Sequence, residues 1–123
     1  MVARNAPAFA LSFEAGRPVP TDSARTFADG MATRQPQEEA FAIIKRGAAR
    51  IVQLSEDEIA EAVRVYFHTT HQVAEGAGAA PLAALMQERG RMAGKRVAVI
   101  LTGCNIDASV YRSVLAGETP KLG

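Results

Sequence analysis

Lys95-Arg96-Val97-Ala98-Val99-Ile100-Leu101 is followed at once by Thr102-Gly103-Cys104-Asn105. The apolar run lacks the polar alternation of a half-exposed strand, so it predicts a strand over Lys95 to Leu101 covered on both faces, as in a sheet sandwiched between helices. That reading sets the fold class as α/β. The loop behind it, Thr102 to Asn105, is the first candidate site, because ligands of open α/β sheets sit beyond the carboxyl ends of strands. Asp107 is placed to cap a final helix carrying Val110, Tyr111, Val114 and Leu115.

Toward the N-terminus, Glu75-Gly76-Ala77-Gly78-Ala79 leads into a small-residue helix expected to begin near Gly78, with Pro81 in its first turn and Gly90 and Gly94 closing it. Before it, Ser55-Glu56-Asp57-Glu58 has the form of a capping box. The helix it starts puts Ile59, Ala62, Val63, Tyr66, Phe67 and Thr70 on one buried face, with Glu61, Arg64 and His68 outward. Arg50 to Leu54 reads as a second strand, and Gln37 to Arg46 as an amphipathic helix led by Glu38 and Glu39 and stopped by Gly47. A helix over Pro7 to Ala15 ends at Gly16, and Arg17-Pro18-Val19-Pro20 continues extended. It leads to Thr26-Phe27-Ala28-Asp29-Gly30-Met31, where Asp-Gly favours a turn with positive φ.

Residues 1–34 thus read as a connector region and residues 35–123 as the α/β portion. Two strands fall short of the roughly five or six of a usual sheet. The missing strands are expected from a longer parent protein or a partner subunit.

Composition narrows the function classes. The 123 residues are 48% hydrophobic and 22% charged, with 14 basic against 13 acidic side chains. Such a balance gives no basic field for nucleic acid or an anionic membrane, and the hydrophobicity argues against disorder. No apolar run approaches the roughly 20 residues of a bilayer-spanning helix. Cys104 is the single cysteine, and the expected compartment is the cytoplasm.

Several residues invite chemistry, each with an ordinary structural alternative. Glu75 to Ala79 has the look of a glycine-rich anion loop at a helix start, yet it lacks the full phosphate-loop pattern, and close helix packing explains the glycines equally. His68, His71 and Glu75 fall in an H-x-x-H-x-x-x-E order, which reads as exposed histidines more readily than as a metal site; no metal is expected. Cys104 is a nucleophile or a small apolar filler, and Asp29 a general base or half of a turn.

Four segments, taken in order, resemble one family. They are Thr26 to Arg34, Ile51 to Ile59, Ala74 to Leu85 and Lys95 to Asp107. The family is the pyridoxal-phosphate-dependent threonine and serine dehydratases, or ammonia-lyases, with serine racemase as a close relative. The resemblance implies the tryptophan-synthase-β-like fold type II, a three-layer sheet incomplete in this chain, of which residues 1–123 are the C-terminal part of the cofactor-binding large domain.

It also implies roles. Thr102 matches the hydroxyl residue that hydrogen-bonds the cofactor's pyridine nitrogen, and Gly103 and Asn105 match the rest of that loop. A hydroxyl does not protonate the nitrogen, which leaves the ring a moderate electron sink suited to rapid β-elimination. Glu75 matches an acidic residue beside the cofactor, and Asp29 and Gly30 a segment on the substrate side. Cys104 replaces the commoner glycine. The family's Schiff-base lysine and tetraglycine phosphate loop have no counterpart here, so no catalytic residue is assigned and the chain by itself is expected to be inactive. Lys45, Lys95 and Lys121 lie in no such context.

The implied reaction is β-elimination of L-threonine or L-serine to a 2-oxo acid and ammonia. The implied partners are the N-terminal half or a separately encoded equivalent, a small amino-acid substrate and, for the whole enzyme, further copies of itself. The alternatives are a stand-alone, non-catalytic α/β interaction module, an amino-acid racemase, or a 3-hydroxyaspartate dehydratase.

Overall fold

The computed structural model describes residues 1–121. Its elements are β1 (Val2–Ala3), α1 (Ala8–Ala15), a single 3-10 turn (Asp29–Met31), α2 (Glu38–Gly47), β2 (Gln53–Leu54), α3 (Glu56–Thr70), α4 (Gly76–Gln87), α5 (Arg89–Met92) and α6 (Ala108–Leu115). The capping box forms as its sequence dictates. Ser55 Oγ accepts from the Glu58 N–H at 3.2 Å, and a Glu58 carboxylate oxygen accepts from the Ser55 N–H at 2.7 Å. Two donors that a helix start leaves free are thereby satisfied.

Ile59, Ala60, Ala62 and Val63 of α3 are buried against α4, whose inner face is Ala79, Ala80 and Ala83. Large residues on one helix meeting alanines on the other let the two axes lie close, and this pair forms the centre of the core with Leu54 and Val114. The burial stripe is shorter than the spacing predicts, since Tyr66 and Phe67 are half-buried and Thr70 is exposed. Arg64 points inward rather than out. Its guanidinium donates to Val114 O at 3.1 Å and Glu118 O at 3.3 Å, supplying donors to carbonyls at the end of α6. Asp107 precedes α6 without making a side-chain cap.

Gly16 ends α1 in the left-handed conformation at φ 71°, as expected, and Lys45 Nζ donates to its carbonyl at 2.8 Å, fastening α2 to α1. Other boundaries move. Helix α4 begins at Gly76 with Glu75 as its N-cap, so Pro81 lies inside the helix and not in its first turn. The helix stops at Gln87, and Gly90 falls within the separate turn α5. Asp29-Gly30 folds as a 3-10 turn in which Gly30 keeps ordinary φ, so no left-handed residue is needed there.

The sheet differs most from expectation. β1 pairs in parallel with β2, Val2 opposite Gln53 and Ala3 opposite Leu54. β1 carries no sequence signal of its own, and the second strand is reduced from Arg50–Leu54 to two residues. Lys95 to Leu101 forms no strand at all. Among the described residues, no backbone hydrogen bond joins residues 96–102 to any other segment. Val97 is 45% exposed and Ile100 71% exposed. A residue pattern made for burial on both faces is present without the neighbours that would bury it.

Candidate functional site

The loop after residues 96–102 lies directly on the start of α4. The Glu75 N–H donates to Gly103 O at 3.1 Å. A Cβ on Gly78 would stand 2.5 Å from Gly103 O and 3.0 Å from Gly103 N, and a Cβ on Gly103 would overlap the Glu75 carboxylate. Both glycines are therefore consequences of close backbone approach. The glycine-rich stretch serves packing, the plainer of its two sequence readings.

The opposite wall is held by Glu56. Its Oε2 accepts from Thr26 Oγ1 at 3.0 Å and from the Phe27 N–H at 3.1 Å, and Thr26 Oγ1 accepts from the Ala28 N–H at 3.1 Å. The loop so fixed presses on α4: a Cβ on Gly76 would lie 2.9 Å from both Ala28 Cβ and Phe27 Cε2, and one on Gly30 would lie 2.9 Å from Ala77 Cβ. Sequence reasoning assigned Glu56 only to the first turn of a helix, because its partners are remote along the chain.

Between these walls is a cavity of about 290 Å³ lined by Phe27, Asp29, Glu75, Asn105, Asp107 and Lys121, among others. Asp29, Glu75 and Asn105, from three separate segments, thus share one space, and Gly30 and Gly103 are not on its lining. Lys121 was not anticipated in this position. Thr102 is exposed, and its hydroxyl has no hydrogen-bond partner among the described residues. Thr102 is not part of the cavity lining. Cys104 is exposed and free.

His68 and His71 do not converge with Glu75. The Phe67 ring lies 5.7 Å from that of His68 and 6.2 Å from that of His71, and His71 ends α3 in the left-handed conformation at φ 56°. Among the described residues, no group of three His, Cys, Asp or Glu side chains is placed to hold a metal ion. No helix there is long and apolar enough to cross a membrane.

Residues 1–103 match the family of pyridoxal-phosphate dependent enzymes. The chain belongs to that family. Within the pyridoxal-phosphate dependent enzymes it is 32% identical over 119 residues to the L-threonine ammonia-lyase of Thermotoga maritima, covering 97% of this chain and 29% of that one. It is 35% identical over 106 residues to an L-threo-3-hydroxyaspartate ammonia-lyase from Pseudomonas, covering 86% of this chain and 33% of the relative. Among solved structures it is similar to the processed form of threonine deaminase isoform 2 from Solanum lycopersicum, with a TM-score of 0.84, 28% identity, and coverage of 94% of this chain and 35% of that chain. Maize serine racemase, 18% identical with a TM-score of 0.81, shares the fold.

The fold is fold type II, represented here in part. The chain spans about a third of the length of the curated relatives it matches. Pyridoxal phosphate is the family's cofactor. Of the residues that the resemblance pairs with that molecule, Glu75 and Asn105 offer polar groups to the cavity, Gly103 lies against the Glu75 carboxylate, and Thr102 is exposed outside the lining. A phosphate cradle is not among the elements described.

Proposed function

We propose that this chain forms one wall of the active site of a threonine or serine ammonia-lyase, with the lysine and phosphate loop supplied by a polypeptide portion outside this sequence. The observation that carries the proposal is the junction of Glu75 with Gly103, which joins two separated segments beside a cavity shared with Asn105 and Asp29. The percentages of identity to ammonia-lyases support the reaction class.

Bound pyridoxal phosphate would act as the electron sink that lets the substrate lose its α-proton and then its β-hydroxyl, giving a 2-oxo acid and ammonia after hydrolysis. By resemblance, the Thr102 hydroxyl would hydrogen-bond the ring nitrogen without protonating it. Gly103 lets the loop lie close against α4, the Glu75 N–H holds the loop through Gly103 O, and Asn105 would offer its amide to the bound cofactor. Asp29 and Gly30 form the substrate side. By the same resemblance, residues 1–123 would be the C-terminal part of the cofactor-binding large domain, with residues 1–34 connecting and residues 35–123 carrying the α/β portion. The setting is cytoplasmic, and the assembled enzyme associates with copies of itself.

The test is an assay of 2-oxo acid release from L-threonine and L-serine with added pyridoxal phosphate. The chain alone gives none. Co-expressed with the portion of the Thermotoga maritima enzyme that lies outside the matched region, it gives turnover that Thr102→Val reduces. Turnover by the chain alone, or none by the pair, overturns the proposal. A second reading concerns the substrate. Because the Pseudomonas relative is a 3-hydroxyaspartate ammonia-lyase at 35% identity, release from L-threo-3-hydroxyaspartate exceeding that from threonine would move the substrate class to β-hydroxy dicarboxylic amino acids.

A further inference from the structure

The cavity shared by Asp29, Glu75 and Asn105 has a neighbour. A second space, also of about 290 Å³, has Arg25, Thr26 and Ala32 on its lining, and the two spaces have Phe27, Asp29 and Lys121 in common. Their charges differ. The first sets the ammonium of Lys121 against the carboxylates of Asp29, Glu75 and Asp107, whereas the second sets two cations, Arg25 and Lys121, against Asp29 alone. Both cations are exposed, and among the described residues neither forms an ion pair.

Fixed backbone brings them there. The Arg25 N–H donates to Asn5 O at 3.2 Å, and the hydroxyl of the next residue, Thr26, donates to Glu56. Lys121 follows a tail fastened to α3 and α6. Arg64 donates to Glu118 O at 3.3 Å, the Glu118 N–H donates to Ser113 O at 3.1 Å, and the Thr119 hydroxyl donates to the Asp57 carboxylate.

We infer that the second space is an anion subsite of the proposed active site, in which Arg25 and Lys121 receive the side-chain carboxylate of a 2-amino-3-hydroxy dicarboxylic acid. Two unpaired cations in one small space repel each other, and an anion between them turns that repulsion into two attractions. A guanidinium offers a carboxylate a planar fork, and an ammonium adds a compact charge. The shared residues Phe27, Asp29 and Lys121 make the two spaces continuous, so one molecule reaches both. Its amino end is favoured by the three carboxylates of the first space and its anionic side chain by the two cations of the second. What the anion is attached to rests on the proposed reaction; the anion subsite itself does not.

The test has two arms. The full chain alone, isotope-labelled, is titrated with succinate as the probe. Saturable amide shifts are expected at Arg25, Thr26 and Lys121, weakened by salt and lost when Arg25→Met and Lys121→Met are combined. In the second arm the chain is co-expressed with the unmatched portion of the Thermotoga maritima enzyme. There kcat/KM is compared between L-threo-3-hydroxyaspartate and L-threonine. Arg25→Met and Lys121→Met each lower that ratio at least about tenfold, mainly through KM for hydroxyaspartate, and Lys121→Arg retains most of it. Arg46→Met, on the exposed side of α2, leaves the ratio unchanged. Because neither cation is ion-paired in the chain, neither methionine lowers its melting temperature, which separates lost recognition from lost folding.

No saturable shifts, shifts confined to other residues, threonine turnover with no release from hydroxyaspartate, or a ratio insensitive to both methionines overturns the inference. Succinate shifts at Arg25 and Lys121 with no 2-oxo acid from either substrate leave the anion subsite standing and remove the proposed reaction. Threonine turnover without succinate shifts does the reverse.

Discussion

Glu75 and Gly103 meet through backbone and side chain together: the Glu75 N–H donates to Gly103 O at 3.1 Å, and the Glu75 carboxylate occupies the space a Gly103 side chain would need. The two contacts have different tolerances, because a carboxylate swings aside and a backbone does not.

Gly103→Ala is expected to displace the Glu75 carboxylate at a cost of about 1 kcal/mol, the low end for overpacking. Glu75→Ala in the same chain relieves it, so a double-mutant cycle of denaturant melts gives non-additive energies. Gly78→Ala meets the Gly103 backbone at 2.5 Å. It costs about 2–3 kcal/mol, and Glu75→Ala does not rescue it. Equal rescue of both variants contradicts the geometry.

Glu56 is nearly buried, at 9% exposure, and its Oε2 serves two donors of the Thr26–Phe27 loop. Glu56→Ala leaves those donors unserved and lowers stability by about 1–3 kcal/mol. Glu56→Gln retains an acceptor and loses less. Amide exchange at Phe27 and Ala28 accelerates in the alanine variant before global unfolding does; unchanged exchange there removes Glu56 from its positioning role.

The acid limb of stability has an identifiable contributor. Burial alone raises the Glu58 carboxyl, but the Ser55 N–H, the Gln87 amide and the Ser55 hydroxyl, with Arg4 beyond them, reverse this and hold it below its ordinary 4.5. A carboxylate lowered in the folded state stabilises above its unfolded pKa, and the contribution disappears as pH falls through the folded value. The difference in melting temperature between the native chain and Glu58→Gln is therefore largest near neutrality and shrinks below about pH 4.5. A difference constant with pH excludes the effect.

Tyr111 packs edge-on against Phe67, with ring centroids 6.0 Å apart, and its buried hydroxyl has no partner among the described residues. Burial pushes its pKa up. Tyr111→Phe keeps the ring contact and removes the stranded hydroxyl, so it leaves stability unchanged or raises it by up to about 1 kcal/mol in a thermal melt. A clear loss indicates a hidden partner for the hydroxyl.

What was legible in the sequence follows the range of the forces involved. The Ser55–Glu58 box and the Gly16 stop are local, fixed by residues within one turn, and they form as read. β1 escaped notice because two residues, Val2 and Ala3, carry no period, and their pairing is decided by distant Gln53 and Leu54. The start of α4 shifted because Gly76 is helical by virtue of packing on Phe27 and Ala28, a contact no local rule contains. At the site, Asp29, Glu75 and Asn105 were named from resemblance and are brought to one cavity. Glu56 and Lys121 were missed, since what places them is the route of the chain through space.

Residues 96–102 also set how the chain behaves in company with itself. Their backbone is unclaimed and Ile100 is open to solvent, which is the template on which strands of separate molecules add edge to edge. Self-association of this kind grows with concentration, whereas a strand delivered from the same polypeptide arrives at a fixed effective concentration. Covalent continuity with the rest of the fold would then do more than complete a catalyst: it would win a kinetic competition that the isolated chain, once crowded, loses to its own copies.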